Sequence, residues 1–278
     1  MPNAAIAAPY QLVSARHGTM LVNSNDIYMG QAYLRYGECC EDEINLLLSL
    51  LRFPGLVIDV GANMGAHTVP LAAELARQGR TMLALEPQPV IFQQLCANLA
   101  LNGLMNVLAL PYACGSQAGV VSFAAPDYRQ QGNFGGVSMS AQGGISAVVT
   151  APCQPLDEIV QQNLVALIKI DVEGFELEVL KGARNSIARC HPALYVENDR
   201  VEKSAPLIQW LMDRDYRLWW HIAALYNSNN FLGNNENVYG NTGSFNMLCL
   251  HRDCPLKIEG STEITDASLH PMAAIAPA

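Results

Sequence analysis

Three mostly apolar runs in this chain each end in an acid. That repetition constrains the fold more than any other feature. The first, Leu56-Val-Ile-Asp-Val60, carries Asp59 near its carboxyl end and runs into Gly61-Ala-Asn-Met-Gly65. The stretch that follows, Thr68 to Arg77, has helical composition, and Pro70 is tolerated because a first helical turn has no partners for its N–H groups. The second run, Thr81 to Leu85, reaches Glu86-Pro87, with Glu86 27 residues beyond Asp59, about where a parallel βαβ unit ends its next strand. The third, Val165 to Ile170, ends in Asp171-Val-Glu173-Gly174 and leads into another helical pattern. Open α/β sheets bind ligands at the carboxyl ends of their parallel strands, so acids at three such ends point to a shared site.

The type of ligand is narrowed by spacing. Gly61 and Gly65 are arranged G-x-x-x-G, which matches neither the dinucleotide fingerprint nor a phosphate-cradling loop. An acid just before the turn suits a ligand carrying a cationic amino group and hydroxyls better than a pyrophosphate. A carboxylate at Glu86 can accept two hydrogen bonds from ribose hydroxyls. Beyond the strand Val107–Leu110, the small residues of Pro111-Tyr-Ala-Cys-Gly115 are suited to the flat face of a base.

The remaining chain supports this frame. Residues 1–24 have little to hold them and either wrap the domain or fray, and Asp26 to Glu38 reads as a small hairpin or lid-like segment. Cys40 to Leu51 reads as a helix with Glu41, Asp42 and Glu43 at its N-terminal end and an apolar stripe of Ile44, Leu47, Leu48 and Leu51. Gln88 to Leu101 is a further helix, and Val120–Phe123 an added antiparallel ribbon. The glycine-rich stretch 126–147 is a candidate substrate cover. His191 to Asp199 is another strand ending in acids, Ser204 to Met212 a helix, and Tyr216 to Trp220 and Phe245 to Leu250 the last strands. Between those last strands, the amides and aromatics of Leu225 to Ser244 have the chemistry of a carbohydrate-like surface or of a loop of Asx turns. The expected division is an N-terminal segment with a covering helix (1–52), a main domain (53–260) and a poorly anchored tail (261–278).

Composition excludes several classes. A net charge of -9 disfavours a nonspecific grip on nucleic acid or on an anionic membrane, and no apolar stretch reaches membrane-spanning length. Eight cysteines without a C-x-x-C pair are read as reduced thiols of a cytoplasmic protein, and the N-terminus does not resemble a secretory signal. Lys169, alternating with Ile168 and Ile170, faces the sheet surface or pairs with an acid.

Several blocks together resemble the FkbM-type S-adenosylmethionine-dependent methyltransferases. They are Tyr36-Gly-Glu38, Val60-Gly-Ala-Asn-Met-Gly-Ala-His-Thr68, Leu85-Glu-Pro-Gln-Pro89, Asn98-Leu-Ala-Leu-Asn102 and Ile168-Lys-Ile-Asp-Val-Glu-Gly-Phe-Glu176, with Leu180-Lys-Gly-Ala183 and the strand holding Glu197. The resemblance implies a class I methyltransferase sheet, Rossmann-like, with helices on both faces and a final antiparallel strand. It also implies S-adenosyl-L-methionine as cofactor and O-methylation of a hydroxyl in a sugar, glycan or secondary metabolite. Cofactor contacts would then fall to Glu38, Asp59, Gly61, Ala62, Asn63, Gly65, Thr68, Glu86, Pro87 and Asp171, with Ala113 and Cys114 beside the adenine.

Direct methyl transfer to oxygen needs the acceptor aligned and its proton received. Asp171, Glu173, His67 and His221 are the candidates, Asp171 first for its placement. No residue is assigned as a metal ligand, although Asp171, Glu173, Glu197 and Asp199 have the oxygen chemistry of a divalent-cation site if the fold brings them together. An N- or carboxyl-methyltransferase, a dehydrogenase and a non-catalytic cofactor-binding module remain the competing classes. The acceptor and the oligomeric state are not encoded in any motif.

Overall fold

The computed structural model describes residues 6–137 and 148–274. In chain order, the first elements are β1 (Tyr10–Ala15), β2 (Gly18–Asn23), α1 (Met29–Tyr36), α2 (Glu41–Leu50), β3 (Leu56–Val60), α3 (Thr68–Arg77), β4 (Met82–Leu85) and α4 (Pro89–Leu101). Then follow β5 (Val107–Leu110), β6 (Ala113–Cys114), β7 (Gly119–Ala124), β8 (Val148–Gln154), α5 (Leu156–Val160) and β9 (Val165–Ile170). The last are α6 (Glu176–Gly182), α7 (Arg184–Cys190), β10 (Ala193–Glu197), α8 (Val201–Met212), β11 (Tyr216–Ala224) and β12 (Gly243–His251).

A seven-stranded sheet runs in the order β11-β12-β10-β9-β3-β4-β5. Pairings among β10, β9, β3, β4 and β5 are parallel, and β12 is antiparallel to both of its neighbours. This is the expected class I methyltransferase sheet. Strand order reverses between β3 and β9, which opens a crevice above their carboxyl ends where the turn after Val60 and the turn after Ile170 diverge.

The strand alternation sorts side chains into two layers. Val57, Leu167, Tyr195, Trp219 and Leu248 pack under α2 and α3 with Leu47, Leu71 and Leu75. Ile58, Ile168, Ile170, Leu194 and Val196 face the other way, onto α6, α7 and α8. By the same period of two, Asp59 and Lys169 fall on the α2/α3 side at the sheet's carboxyl edge, and the register places them directly opposite each other. Two charges in a near-continuous apolar sheet are therefore neighbours by construction.

Three sequence expectations need correction. Residues 10–23 do not fray: the β1–β2 hairpin is clamped by α4, where Asn98 Oδ1 accepts from the Leu21 N–H (2.6 Å), Asn102 Oδ1 from the Thr19 N–H (2.9 Å), and Gln94 donates to the Leu21 carbonyl (2.8 Å). Those three amides recur every fourth residue, on one face of the helix. The Asp26–Glu38 stretch contains a helix, not a hairpin, and the Asp26 carboxylate accepts from the Tyr28 and Met29 N–H groups at its start. The tail is anchored as far as His270: Ile264 is buried, its N–H donates to the Leu218 carbonyl, and the His270 imidazole lies 2.8 Å from the Asn198 carbonyl, while residues 275–278 lie outside the described residues. The expected cover at 126–147 is described as far as Val137, with Gln88 donating to the Phe134 carbonyl; residues 138–147 lie outside the described residues. All eight cysteines are free thiols.

Candidate active site

A cavity of about 350 Å³ opens above the carboxyl ends of β3, β4, β9 and β10, within the size range of small-molecule sites. The turn after β3 forms its floor. Gly61 has φ +78, and a β-carbon there would stand 1.8 Å from the Asp171 carbonyl oxygen, so only glycine lets the two strand-end turns pass this closely. The turn is fixed on its other side by Glu86. One oxygen of its carboxylate accepts from the Asn63 N–H (2.9 Å) and the other from the Gln88 N–H (2.8 Å). Burial pushes the Glu86 carboxyl up to about 7, with those two N–H groups and Lys169 opposing the shift. Each oxygen keeps a lone pair for a ligand.

Behind the floor lies the ion pair created by the register. Asp59 is fully buried; its Oδ2 accepts from Thr68 Oγ1 (2.7 Å), and its Oδ1 lies 3.1 Å from Lys169 Nζ without meeting hydrogen-bond geometry there. Lys169 also donates to the Gly61 carbonyl (2.9 Å) and lies 3.3 Å from the half-buried Asp171. Burial disfavours the ammonium, but the Asp171 and Asp59 carboxylates outweigh it and raise the lysine pKa, so Lys169 stays charged. It does not act as a base.

A second buried pair stands against α2. His67 Nε2 is 3.1 Å from Glu43 Oε2, and the other Glu43 oxygen accepts from Ser244 Oγ (2.5 Å). Burial lowers the His67 pKa, but hydrogen bonding to Cys40 and Glu43 more than reverses this and raises it to about 10. The imidazolium is held by the Glu43 carboxylate, whose own pKa falls despite burial through that contact. The Cys40 thiol, raised by its neighbour Cys39 and by burial, is neutral.

On the opposite wall, carboxylates gather. Asp171, Glu173 and Glu197 each place an oxygen within 4.8 Å of the others, and Asp199 lines the same wall. Glu173 is held in the left-handed region (φ 56) before Gly174 (φ 90), and its carboxylate meets Arg200 at 2.5 Å. Burial, then repulsion from Asp171, raises the Glu173 carboxyl to about 7, and burial, then repulsion from Asp171 and Glu173, also raises the Glu197 carboxyl.

Of the residues singled out in the sequence, Gly61, Ala62, Asn63, His67, Glu86, Pro87, Asp171 and Glu173 line the cavity together. Asp59, Thr68 and Gly65 sit behind them and shape the turn. Glu38 is elsewhere: its carboxylate is occupied by Arg16 (2.6 Å), Asn227 (2.7 Å) and the Phe231 N–H (2.7 Å), tying the N-terminal region to the 225–242 loop. Ala113 and Cys114 are buried in the β6–β8 ladder, Cys114 in the core, and Phe123 and Val137 line the cavity instead. His221 is outside the lining, its Nδ1 2.7 Å from the Tyr195 hydroxyl. The amides of the 225–242 loop are largely spent on that loop, as Asx turns require; Asn230, for example, accepts from the Asn234 N–H and donates to the Asn227 and Asn234 carbonyls. Glu43 was missed as a site residue, because an acid in a first helical turn reads as a dipole partner. Its signal was its place beside Ile44 and one turn before Leu47, on the buried stripe.

Fold and site together define a class I methyltransferase scaffold, with an acid at the second strand end and a glycine turn at the first. The sequence model of the methyltransferase FkbM domain matches residues 59–218, more than half of the chain, and the chain belongs to that family. It is 31% identical to the hexuronic acid methyltransferase AglP of Haloferax volcanii over 150 residues, which cover 53% of this chain and 57% of that protein. It is 27% identical to the methyltransferase sdnD of Sordaria araneosa, over 55% of this chain and 69% of that protein. The chain thus spans well under two thirds of AglP. Among solved structures, a methyltransferase FkbM from Methylobacillus flagellatus KT aligns with a TM-score of 0.48 and 19% identity, over 72% of this chain and 45% of that one. Among the described residues no helix is long and apolar enough to cross a membrane.

Proposed function

We propose that this protein is an S-adenosylmethionine-dependent O-methyltransferase whose acceptor is a hydroxyl of a sugar, glycan or related small molecule. The observation that carries this reading is the cavity itself: a buried diol acceptor, Glu86, stands on one side of the glycine turn, and a wall of carboxylates stands on the other. The donor set fits the cofactor, since Glu86 offers free lone pairs to ribose hydroxyls and Asp171 offers a carboxylate to a cationic amino group or an acceptor. When bound, S-adenosylmethionine supplies an electrophilic methyl on a sulfonium.

The chain's own residues do the rest. The Gly61–Asn63 turn and Glu86 hold the donor, and the carboxylate wall orients a hydroxyl by accepting its hydrogen bond. Glu173, with a carboxyl near 7, takes the proton as the oxygen gains its methyl. His67 is already protonated and instead positions the α2 side of the cavity through Glu43. A carboxylate acceptor would meet like charge at the wall, which favours a hydroxyl. AglP is a hexuronic acid methyltransferase, and a hexuronic acid carries both hydroxyls and a carboxylate, so that similarity supports a sugar-derived acceptor without selecting the methylated atom.

The test is mass-spectrometric detection of methylated product from S-adenosylmethionine and a panel of sugars, uronic acids, amines and simple carboxylic acids. Hydroxyl methylation is expected. Glu173→Gln should lower turnover about 100-fold or more while calorimetry shows cofactor binding retained. Transfer only to nitrogen or carboxylate would refute the acceptor assignment, and preferential binding of NAD would refute the cofactor assignment.

A further inference from the structure

All the side-chain charge of this chain lies outside one long stretch. Residues 87–126 contain no Asp, Glu, Lys, Arg or His, in a chain that is 15% charged. The fold gathers much of that stretch at one border of the large sheet: α4, the turn after it, and β5, which is an outermost strand. The two borders are finished differently. Beyond β11 the tail adds a bridge between Glu263 and Trp219 and a hydrogen bond from the Ile264 N–H to the Leu218 carbonyl. Beyond β5 no strand or bridge is paired among the described residues. Native sheets protect such a border with charges, a proline or a bulge within the strand, and Val107-Leu-Ala-Leu110 has none of these.

Apolar side chains are exposed on both sides of that border. Val107 and Ala109 pack towards α4, so the period of two puts Leu108 on the opposite face with Leu110, and Leu108 is 60% exposed. At the end of α4 and in the turn to β5, Leu101 is 45% and Met105 96% exposed. Single exposed apolar residues are ordinary, whereas three flanking one unpaired, charge-free strand have the pattern of an interface.

We propose that this border is a homodimer interface, in which β5 and the end of α4 meet their copies across a two-fold axis. The distribution of charge selects a second copy as the occupant. Each chain carries a net charge of -9, so two copies repel over most of their surfaces, and repulsion is least where a face carries no charge. A partner of opposite charge would be drawn to the acidic remainder of the surface instead. An edge strand is also its own complement, because a two-fold axis turns its free donors and acceptors antiparallel to those of its copy. Since β5 has only four residues, the short ladder sets the register, and burial of Leu101, Met105 and Leu108 supplies most of the stabilisation.

The experiment is sedimentation equilibrium of the full chain up to about 100 µM. A two-chain mass is expected. Leu108→Lys and Met105→Lys, both at exposed positions, should each weaken the dimer, Leu108→Lys by about 100-fold or more, because the two-fold axis brings both copies of the new charge into one interface. Far-ultraviolet circular dichroism of both variants should match the wild type, which separates loss of the interface from loss of the fold. Ile222→Lys, at an exposed position on β11 at the other border, should leave the dimer intact. A wild-type chain that stays monomeric would leave the border to some other partner and overturn the proposal. A dimer unaffected by Leu108→Lys, or one broken by Ile222→Lys, would overturn it as well.

Discussion

Replacing Lys169 by methionine should destabilise the protein far more than a surface substitution, and the structure sets the size. The Lys169→Met side chain keeps most of the volume but leaves Asp59, with no exposed surface, holding one hydrogen bond from Thr68 and no counter-charge. Breaking a buried pair by removing one partner costs about 3–5 kcal/mol. Asp171 can turn to solvent, so most of that cost is assigned to Asp59. For a chain of this size 1 kcal/mol corresponds to roughly 2–4 °C, which gives a fall in Tm of roughly 6–20 °C. Adding Asp59→Asn removes the stranded charge, and the double variant should recover about half or more of the loss. Urea unfolding followed by circular dichroism measures both. If Lys169→Met costs under about 1 kcal/mol, or the double variant is no more stable than the single, then the pair is not the charge balance described above.

Four further outcomes follow from the cofactor side of the cavity. Glu86→Gln should weaken S-adenosylmethionine binding by about 10–100-fold, the worth of a hydrogen bond to a charged group, as measured by calorimetry. Because the Glu86 carboxyl is raised to about 7, cofactor affinity should rise about tenfold from pH 6 to pH 8 as the carboxylate forms, and Glu86→Gln should flatten that rise. The same group gives the opposite sign for unliganded stability: its contribution is fully present below the unfolded carboxyl pKa of 4.5 and is lost as pH rises through about 7, a change of about 3 kcal/mol seen in pH-dependent urea midpoints. Gly61→Ala should abolish cofactor binding and lower Tm, since its methyl group would fall 1.8 Å from the Asp171 carbonyl; calorimetry showing wild-type affinity would refute the close approach.

Much of this was legible before any coordinates. The acids at Asp59, Glu86 and Asp171, the glycine turn and the alternation of sheet and helix patterns are local features, and each strand reads from its own residues because parallel strands are apolar throughout. Their meeting at one edge follows from the connection rules of parallel sheets. Residues whose partners are far away in sequence were read differently. Glu38 looked like part of the site by its motif but is consumed by Arg16 and the 225–242 loop, and the hairpin at 10–23 looked unheld because its clamp lies on α4.

By itself, then, the sequence determined that this chain folds as a doubly wound α/β sheet with acids at its ligand edge, because strand period, turn glycines and charge placement act over a few residues. Only the tertiary structure decided what those acids are. Asp59 is the buried counter-ion of Lys169, Glu86 a pinned carboxylate facing the cavity, and Asp171 the edge of a crowded wall with Glu173 and Glu197. Protonation and pairing depend on burial and on neighbours brought in by register and crossover, and no local pattern carries that information.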